Sequence, residues 1–172
     1  MGPEYEPETQ SWLAQVKKRG SDGMWLVTRG YHDGDDLVAV ATNAPLSHTS
    51  VLDHGNERVV EAIGEGVVVT ELPQFLRETH RMLLIKPDGW TSRSGAKALE
   101  LAYSKVGHGY DFLGAIGIPN DNLWYCSELA AWSMGMPTGN LGAHHVLHPK
   151  DMHEYGEVLF DTGQRDGMPD EE

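Results

Sequence analysis

Residues 46–71, LSHTSVLDHGNERVVEAIGEGVVVTE, decide how the first half of this chain folds. This stretch holds three short β-type runs, at 49–52, 58–63 and 67–70. Glycine-containing turns separate the runs, a pattern that is typical of antiparallel strands joined by tight connections. Similar runs lie outside the stretch, at 24–28, 36–41 and 82–85. The first half therefore predicts a meander of antiparallel strands.

The period of the apolar residues changes from strand-like to helical after residue 91. Apolar side chains recur there at helical spacing, at Ala96, Leu99, Tyr103 and Val106. Thr91 or Ser92 can cap this helix and Gly107 can end it. We predict a second helix from about Tyr125 to Met134 and a short one over 73–78. Strands followed by helices indicate an α+β fold.

The length and charge of the chain limit its organisation and its partners. A chain of 172 residues is the size of one domain. We predict a single domain over 11–160 with flexible acidic tails at 1–10 and 161–172. The formal charge is −13, of which the tails contribute −3 and −4. This acidity disfavours nucleic acid as a partner, because phosphate backbones are themselves negative.

The sequence also predicts where the protein resides. Its apolar runs are too short to span a membrane, and no basic amphipathic helix suggests a membrane anchor. The first residues are acidic, unlike the start of a signal peptide. We therefore expect a cytoplasmic protein, with delivery to an envelope by another route left open.

Cys126 is the only cysteine of the chain, so any role it has is that of a lone thiol. It lies in the predicted first turn of a helix, where free backbone N–H groups and the helix dipole stabilise a thiolate. An unpaired cysteine is also often a small buried core residue. A catalytic role requires a base near the thiol.

His48 is the candidate base, and the hairpin that follows it offers a carboxylate. If the turn is centred on Gly55 and Asn56, paired positions sum to 111, and Glu61 is the diagonal neighbour of His48 on one face. A loop over 53–56 would instead put Glu61 directly opposite His48. A three- or five-residue loop would put the two residues on opposite faces. The first two registers let Glu61 orient the imidazole.

A cluster of histidines and one aspartate near the C-terminus has residue types that bind metals, but it lacks the regular spacing of a metal site. It comprises His144, His145, His148, Asp151 and His153. These residues lie in a segment flanked by proline and glycine, without a regular ligand pair on a helix. We predict neither a metal site nor a cofactor.

Several motifs, taken in their order, resemble the YiiX/YaeF-type branch of the circularly permuted, NlpC-like papain-fold proteins. They are Gly34-Asp35, Leu46-Ser47-His48-Thr49-Ser50, Val60-Glu61-Ala62, Gly109-Tyr110-Asp111 and Trp124-Tyr125-Cys126-Ser127-Glu128-Leu129. The resemblance implies a permuted papain-like fold, in which an antiparallel β-meander or barrel packs against helices and the nucleophilic cysteine begins a helix. It also implies Cys126 as nucleophile, His48 as base and Glu61 as the acidic third residue. We assign Tyr110, Tyr125 and Ser47 to substrate binding.

The resemblance implies acyl transfer at an amide through a thioacyl intermediate. A cell-wall peptide or a lysine-linked amide is the expected substrate, so the expected partner is a small peptide or an acyl amide. An acyltransferase or esterase acting on lipid or N-acyl groups, and an inactive binding module, are the alternatives. The sequence does not determine the oligomeric state.

Overall fold

The computed structural model describes residues 6–30, 46–110, 123–136 and 147–165. Four α-helices lie in these ranges: α1 (Glu6–Arg19), α2 (Leu72–Arg77), α3 (Ser92–Tyr103) and α4 (Cys126–Ser133). A 3₁₀ helix spans Pro149–Tyr155. The strands are β1 (Trp25–Gly30), β2 (His48–Asp53), β3 (Arg58–Ile63), β4 (Gly66–Glu71), β5 (Thr79–Pro87), β6 (Gly109–Tyr110), β7 (Leu123–Trp124) and β8 (Gly156–Asp161).

Six strands form one antiparallel sheet in the order β4-β3-β2-β1-β5-β8. Neighbours in the chain are mostly neighbours in the sheet, which confirms the predicted meander and the α+β class. The sheet is open, with β4 and β8 at its edges, so the barrel alternative is wrong. The short strands β6 and β7 pair in parallel. The predicted strand over 36–41 lies outside the described residues.

Each face of the sheet carries its own apolar core. On one face, alternate strand residues such as Leu26, Leu52 and Val59 pack with α1 and α2. On the other face, residues such as Trp25, Val51 and Val60 pack with α3, α4 and Met152. Successive strand residues point to opposite faces, which explains why the fully buried strand β2 contributes to both cores.

The hairpin between β2 and β3 has one of the predicted registers, that in which the numbers of paired residues add to 111. Ser50 lies opposite Glu61, and Asp53 lies opposite Arg58. The turn therefore spans four residues, 54–57, and Glu57 adopts a positive φ of 54° within it. The Asp53 carboxylate accepts hydrogen bonds from the backbone N–H and side-chain amide of Asn56. These bonds fix the turn length and, with it, the register.

The helices that the spacing predicts are present with small shifts at their ends. Of the two predicted cap residues, Thr91 is the one that caps α3, through a capping box with Ser94. This helix ends at Tyr103, before Gly107, which adopts a positive φ of 92°. Among the described residues, no helix is long and apolar enough to cross a membrane.

The predicted tails are wrong where the structure describes them. Helix α1 begins at Glu6, and Thr9 within the supposed tail is buried. The acidic residues that suggested disorder instead lie in the first turn of α1, where the helix dipole favours negative charge. At the other end, Asp161 belongs to β8 and the side chain of Arg165 is buried. Residues 6–10 and 161–165 therefore belong to the folded unit.

Candidate active site

Cys126 is the first residue of α4 and is 4% exposed. The preceding residue, Tyr125, is extended, and its side chain makes no capping hydrogen bond. The first intrahelical bond runs from the Leu129 N–H to the Tyr125 carbonyl. The α-helical pattern thus leaves the N–H groups of Cys126 and Ser127 without intrahelical acceptors, directed out of the helix end beside the thiol.

The two neighbours of Cys126 hold the same backbone segment. The Ser127 hydroxyl donates to the Leu147 carbonyl, and the Leu147 N–H donates to the Tyr125 hydroxyl at 3.4 Å. Both side chains are buried. The residues before and after Cys126 are therefore both bonded to Leu147, two residues before the 3₁₀ helix, which restrains the position of the thiol.

His48 and Glu61 form a buried pair at one end of the sheet. His48 is the first residue of β2, and its Nε2 lies 2.6 Å from Oε2 of Glu61 on β3. The two residues are 8% and 6% exposed. They are diagonal neighbours on one face, as the predicted register requires. The ring of Phe75 packs against the imidazole with a centroid separation of 6.3 Å.

Cys126 is a neighbour of His48 that acts on the imidazole through hydrogen bonding and charge. Burial acts to lower the pKa of His48, but the hydrogen bonds and charges of Cys126 and Glu61 outweigh it and raise the pKa well above its usual value. His48 therefore interacts with both Cys126 and Glu61, and these three residues are here called the relay.

The three residues assigned to substrate binding have different surroundings. Ser47 is buried beside His48, and its hydroxyl has no hydrogen-bond partner among the described residues. Tyr125 is buried and engaged with Leu147. The backbone of Tyr110 lies in β6 opposite Trp124, whereas its side chain falls outside the described part of the structure. Substrate binding by these three residues stays a prediction.

One functional contact was missed by the sequence analysis. The Thr70 hydroxyl on β4 donates to Oε1 of Glu61 at 2.5 Å. The β3–β4 register, with Val59 opposite Thr70 and Glu61 opposite Val68, contained the signal for this contact. Residues 61 and 70 are diagonal neighbours on one face, by the same rule that paired His48 with Glu61.

Residues 34–158 match the model of a family described as permuted papain-like amidase enzymes, YaeF/YiiX, the C92 family. The chain belongs to this family. The C92 family consists of amidases with a permuted papain-like fold, so the chain is in general terms a cysteine peptidase or amidase. The match includes all three residues of the relay.

A solved structure supports the same fold for this C92 chain. It is the crystal structure of a protein titled as metalloprotein YiiX from Escherichia coli O157:H7. The two structures superpose with a TM-score of 0.63 at 17% identity, covering 86% of this chain and 98% of the YiiX chain. No curated protein sequence matches the chain.

The structure describes only part of the histidine and aspartate cluster for which we predicted no metal site. His144 and His145 lie outside the described residues, whereas His148, Asp151 and His153 lie within them. Burial lowers the pKa of His148. The ring of His153 contacts the Lys150 carbonyl at 2.6 Å, within its own 3₁₀ helix. Within the described ranges, no group of three His, Cys, Asp or Glu side chains is placed to hold a metal ion.

Proposed function

We propose that this chain is a cysteine amidohydrolase in which Cys126 is the nucleophile, His48 the general base and acid, and Glu61 the residue that orients and stabilises the imidazolium. One observation carries the proposal. The only thiol of the chain, at a helix N-terminus, interacts with an imidazole whose Nε2 lies 2.6 Å from a buried carboxylate. This is the arrangement that activates a cysteine for acyl transfer.

The raised pKa of His48 bears on the resting state of the site. An imidazole that holds its proton strongly takes the proton of the adjacent thiol, which gives a thiolate and an imidazolium. Glu61 stabilises the imidazolium from the opposite side of the ring. The helix N-terminus stabilises the thiolate, because its partial positive charge lies beside the sulfur.

The reaction then follows in two halves. The Cys126 thiolate attacks the amide carbonyl carbon, and the N–H groups of Cys126 and Ser127 stabilise the oxyanion that forms. His48 gives its proton to the amide nitrogen as the C–N bond breaks, leaving a thioester and releasing the amine. His48 next takes a proton from water, which attacks the thioester. The carboxylic acid leaves, and His48 and Cys126 return to their starting states.

The substrate class that we propose is a peptide amide of the cell wall or an amide that links lysine to an acyl group. This proposal rests on the family's description as amidases and on the resemblance in sequence. A panel of wall peptides, lysine-linked amides, N-acyl amides and esters would test it. Release of an amine from the first two, at rates that depend on Cys126, is the expected result.

The reactivity of Cys126 tests the mechanism without a known substrate. We expect iodoacetamide to alkylate this single thiol rapidly at mildly acidic pH. A free thiol is only about 0.3% ionised at pH 6, since its pKa is about 8.5. We therefore expect His48→Ala to slow alkylation by roughly tenfold or more, because the variant lacks the imidazolium that stabilises the thiolate.

A second histidine of the same hairpin provides the control. His54 lies past the far end of β2, about 20 Å along the strand from His48, and its Nε2 contacts the Lys17 carbonyl. His54→Ala should leave the alkylation rate unchanged. If Cys126 reacts only after denaturation, or reacts equally fast without His48, the proposed mechanism is wrong.

A further inference from the structure

Thr70 holds one oxygen of the carboxylate on which the relay depends. Its hydroxyl donates to Oε1 of Glu61 at 2.5 Å, while Oε2 lies 2.6 Å from the His48 imidazole. Each carboxylate oxygen thus has its own partner. A donor on the second oxygen restrains rotation of the carboxylate about its last bond, because turning the group would break that hydrogen bond.

We propose that Thr70 is a positioning residue that fixes the Glu61 carboxylate for its contact with His48; this inference rests on the proposed function. Thr70 does not touch the thiol or the imidazole in any contact that the structure describes. It acts through Glu61, because its bond leaves a single carboxylate orientation that satisfies both partners. A relay with fixed members stabilises the imidazolium more than one whose carboxylate samples several rotamers.

The backbone around Thr70 makes this contact precise. Thr70 lies opposite Val59 in the β3–β4 ladder, and Glu61 lies opposite Val68. The ladder continues to Arg58 and Glu71, whose side chains form a 2.8 Å ion pair at its end. The residues before and after Thr70 in β4 are therefore both paired with β3, which restrains the backbone of Thr70.

The test compares Thr70→Val with Thr70→Ser. Valine keeps the shape and β-branching of threonine but removes the hydroxyl, whereas serine keeps the hydroxyl. We expect Thr70→Val to slow alkylation of Cys126 by iodoacetamide at mildly acidic pH by roughly tenfold, the scale of one hydrogen bond to a charged group. Thr70→Ser should restore most of the rate.

A pH profile separates positioning from a general loss of structure. Weaker support of the imidazolium makes the thiolate form at higher pH, so the acidic limb of the alkylation profile of Thr70→Val should shift to higher pH. Thr49→Val is the matched control. Thr49 is a buried threonine beside His48 whose hydroxyl has no hydrogen-bond partner among the described residues. This control should leave the profile in place.

A double-mutant cycle decides whether Thr70 acts through Glu61. In a Glu61→Ala background, Thr70→Val should have no further effect on the rate. If Thr70→Val leaves the profile unchanged while Glu61→Ala and His48→Ala slow alkylation, the inference about Thr70 is wrong and the relay stands. If neither Glu61→Ala nor His48→Ala changes the rate, the proposed function itself fails.

Discussion

Arg165 offers a quantitative test of how the C-terminal residues contribute to the fold. Its guanidinium is buried, and it donates to the Thr79 carbonyl at 2.7 Å and to the Leu76 carbonyl at 2.6 Å. It also donates to the Thr9 hydroxyl at 3.0 Å and to the Glu8 carboxylate at 3.1 Å. One side chain thus joins α1, α2 and the start of β5.

The cost of Arg165→Met follows from these acceptors. Two carbonyls and one hydroxyl would lose a donor, and a buried group left without a partner costs about 1–3 kcal/mol. Glu8 is one-third exposed and can bind water instead, so losing its ion pair with Arg165 adds little to the loss of stability. Relief from the desolvation of the guanidinium offsets part of the total. Methionine also keeps an apolar contact with Trp12, over which the guanidinium lies at 4.1 Å. We expect a net loss of about 3–5 kcal/mol, typical of a broken buried pair.

Thermal unfolding measures this loss. For a domain of this size 1 kcal/mol corresponds to about 2–4 °C in Tm, so Arg165→Met should melt about 6–20 °C below the wild type. The control is Arg81→Met, which removes a partly exposed pair with Asp161. That pair should contribute at most about 1 kcal/mol. A melting temperature for Arg165→Met within about 2 °C of the wild type would refute the reasoning, because it would mean that the Arg165 contacts add little to the stability of the fold.

Two further predictions concern titrating groups. Burial and the 2.5 Å bond to Asp53 raise the pKa of Tyr103 to about 12, so a spectrophotometric titration should show a late tyrosine that Tyr103→Phe removes. The folded-state pKa of His48 is raised well above 6.5, so the stability that its proton contributes is complete below about pH 6.5 and is lost as the pH rises through the folded pKa. Urea unfolding should therefore show the largest stability difference between wild type and His48→Gln on the acidic side, shrinking as the pH rises.

The pairing of His48 with Glu61 could be predicted because hairpin register depends on local information. A turn of even length keeps residues 48 and 61 on one face, and the Asp53 and Asn56 side chains of this turn select four residues. The contact between Cys126 and His48 is different. It joins positions 78 residues apart, and no local spacing rule reaches across that distance. Only the ordered resemblance to a family predicted that contact.

The errors at the two ends have a physical cause as well. An acidic composition, here Glu6 and Glu8, predicts disorder. In the structure, however, Glu6 pairs with Arg77 and Glu8 pairs with Arg165. Both arginines lie far from these glutamates in the chain. Local sequence therefore cannot show that the two ion pairs offset the acidic charge. Trp12 and Val16, which α1 buries against the sheet, gave too short an apolar stripe to outweigh the acidic residues.

The position of the relay follows from which face each element occupies. His48 and Glu61 lie on the face of the sheet that α1 and α2 cover, the face of Leu52 and Val59, and Phe75 of α2 contacts the imidazole. Helix α4, which begins at the thiol, packs into the core on the other face through Leu129 and Ala130. Thiol and imidazole therefore belong to different layers and meet because His48 is the first residue of its strand, at the end of the sheet. Their separation depends on both cores at once, so a packing change in either layer moves one member of the relay relative to the other.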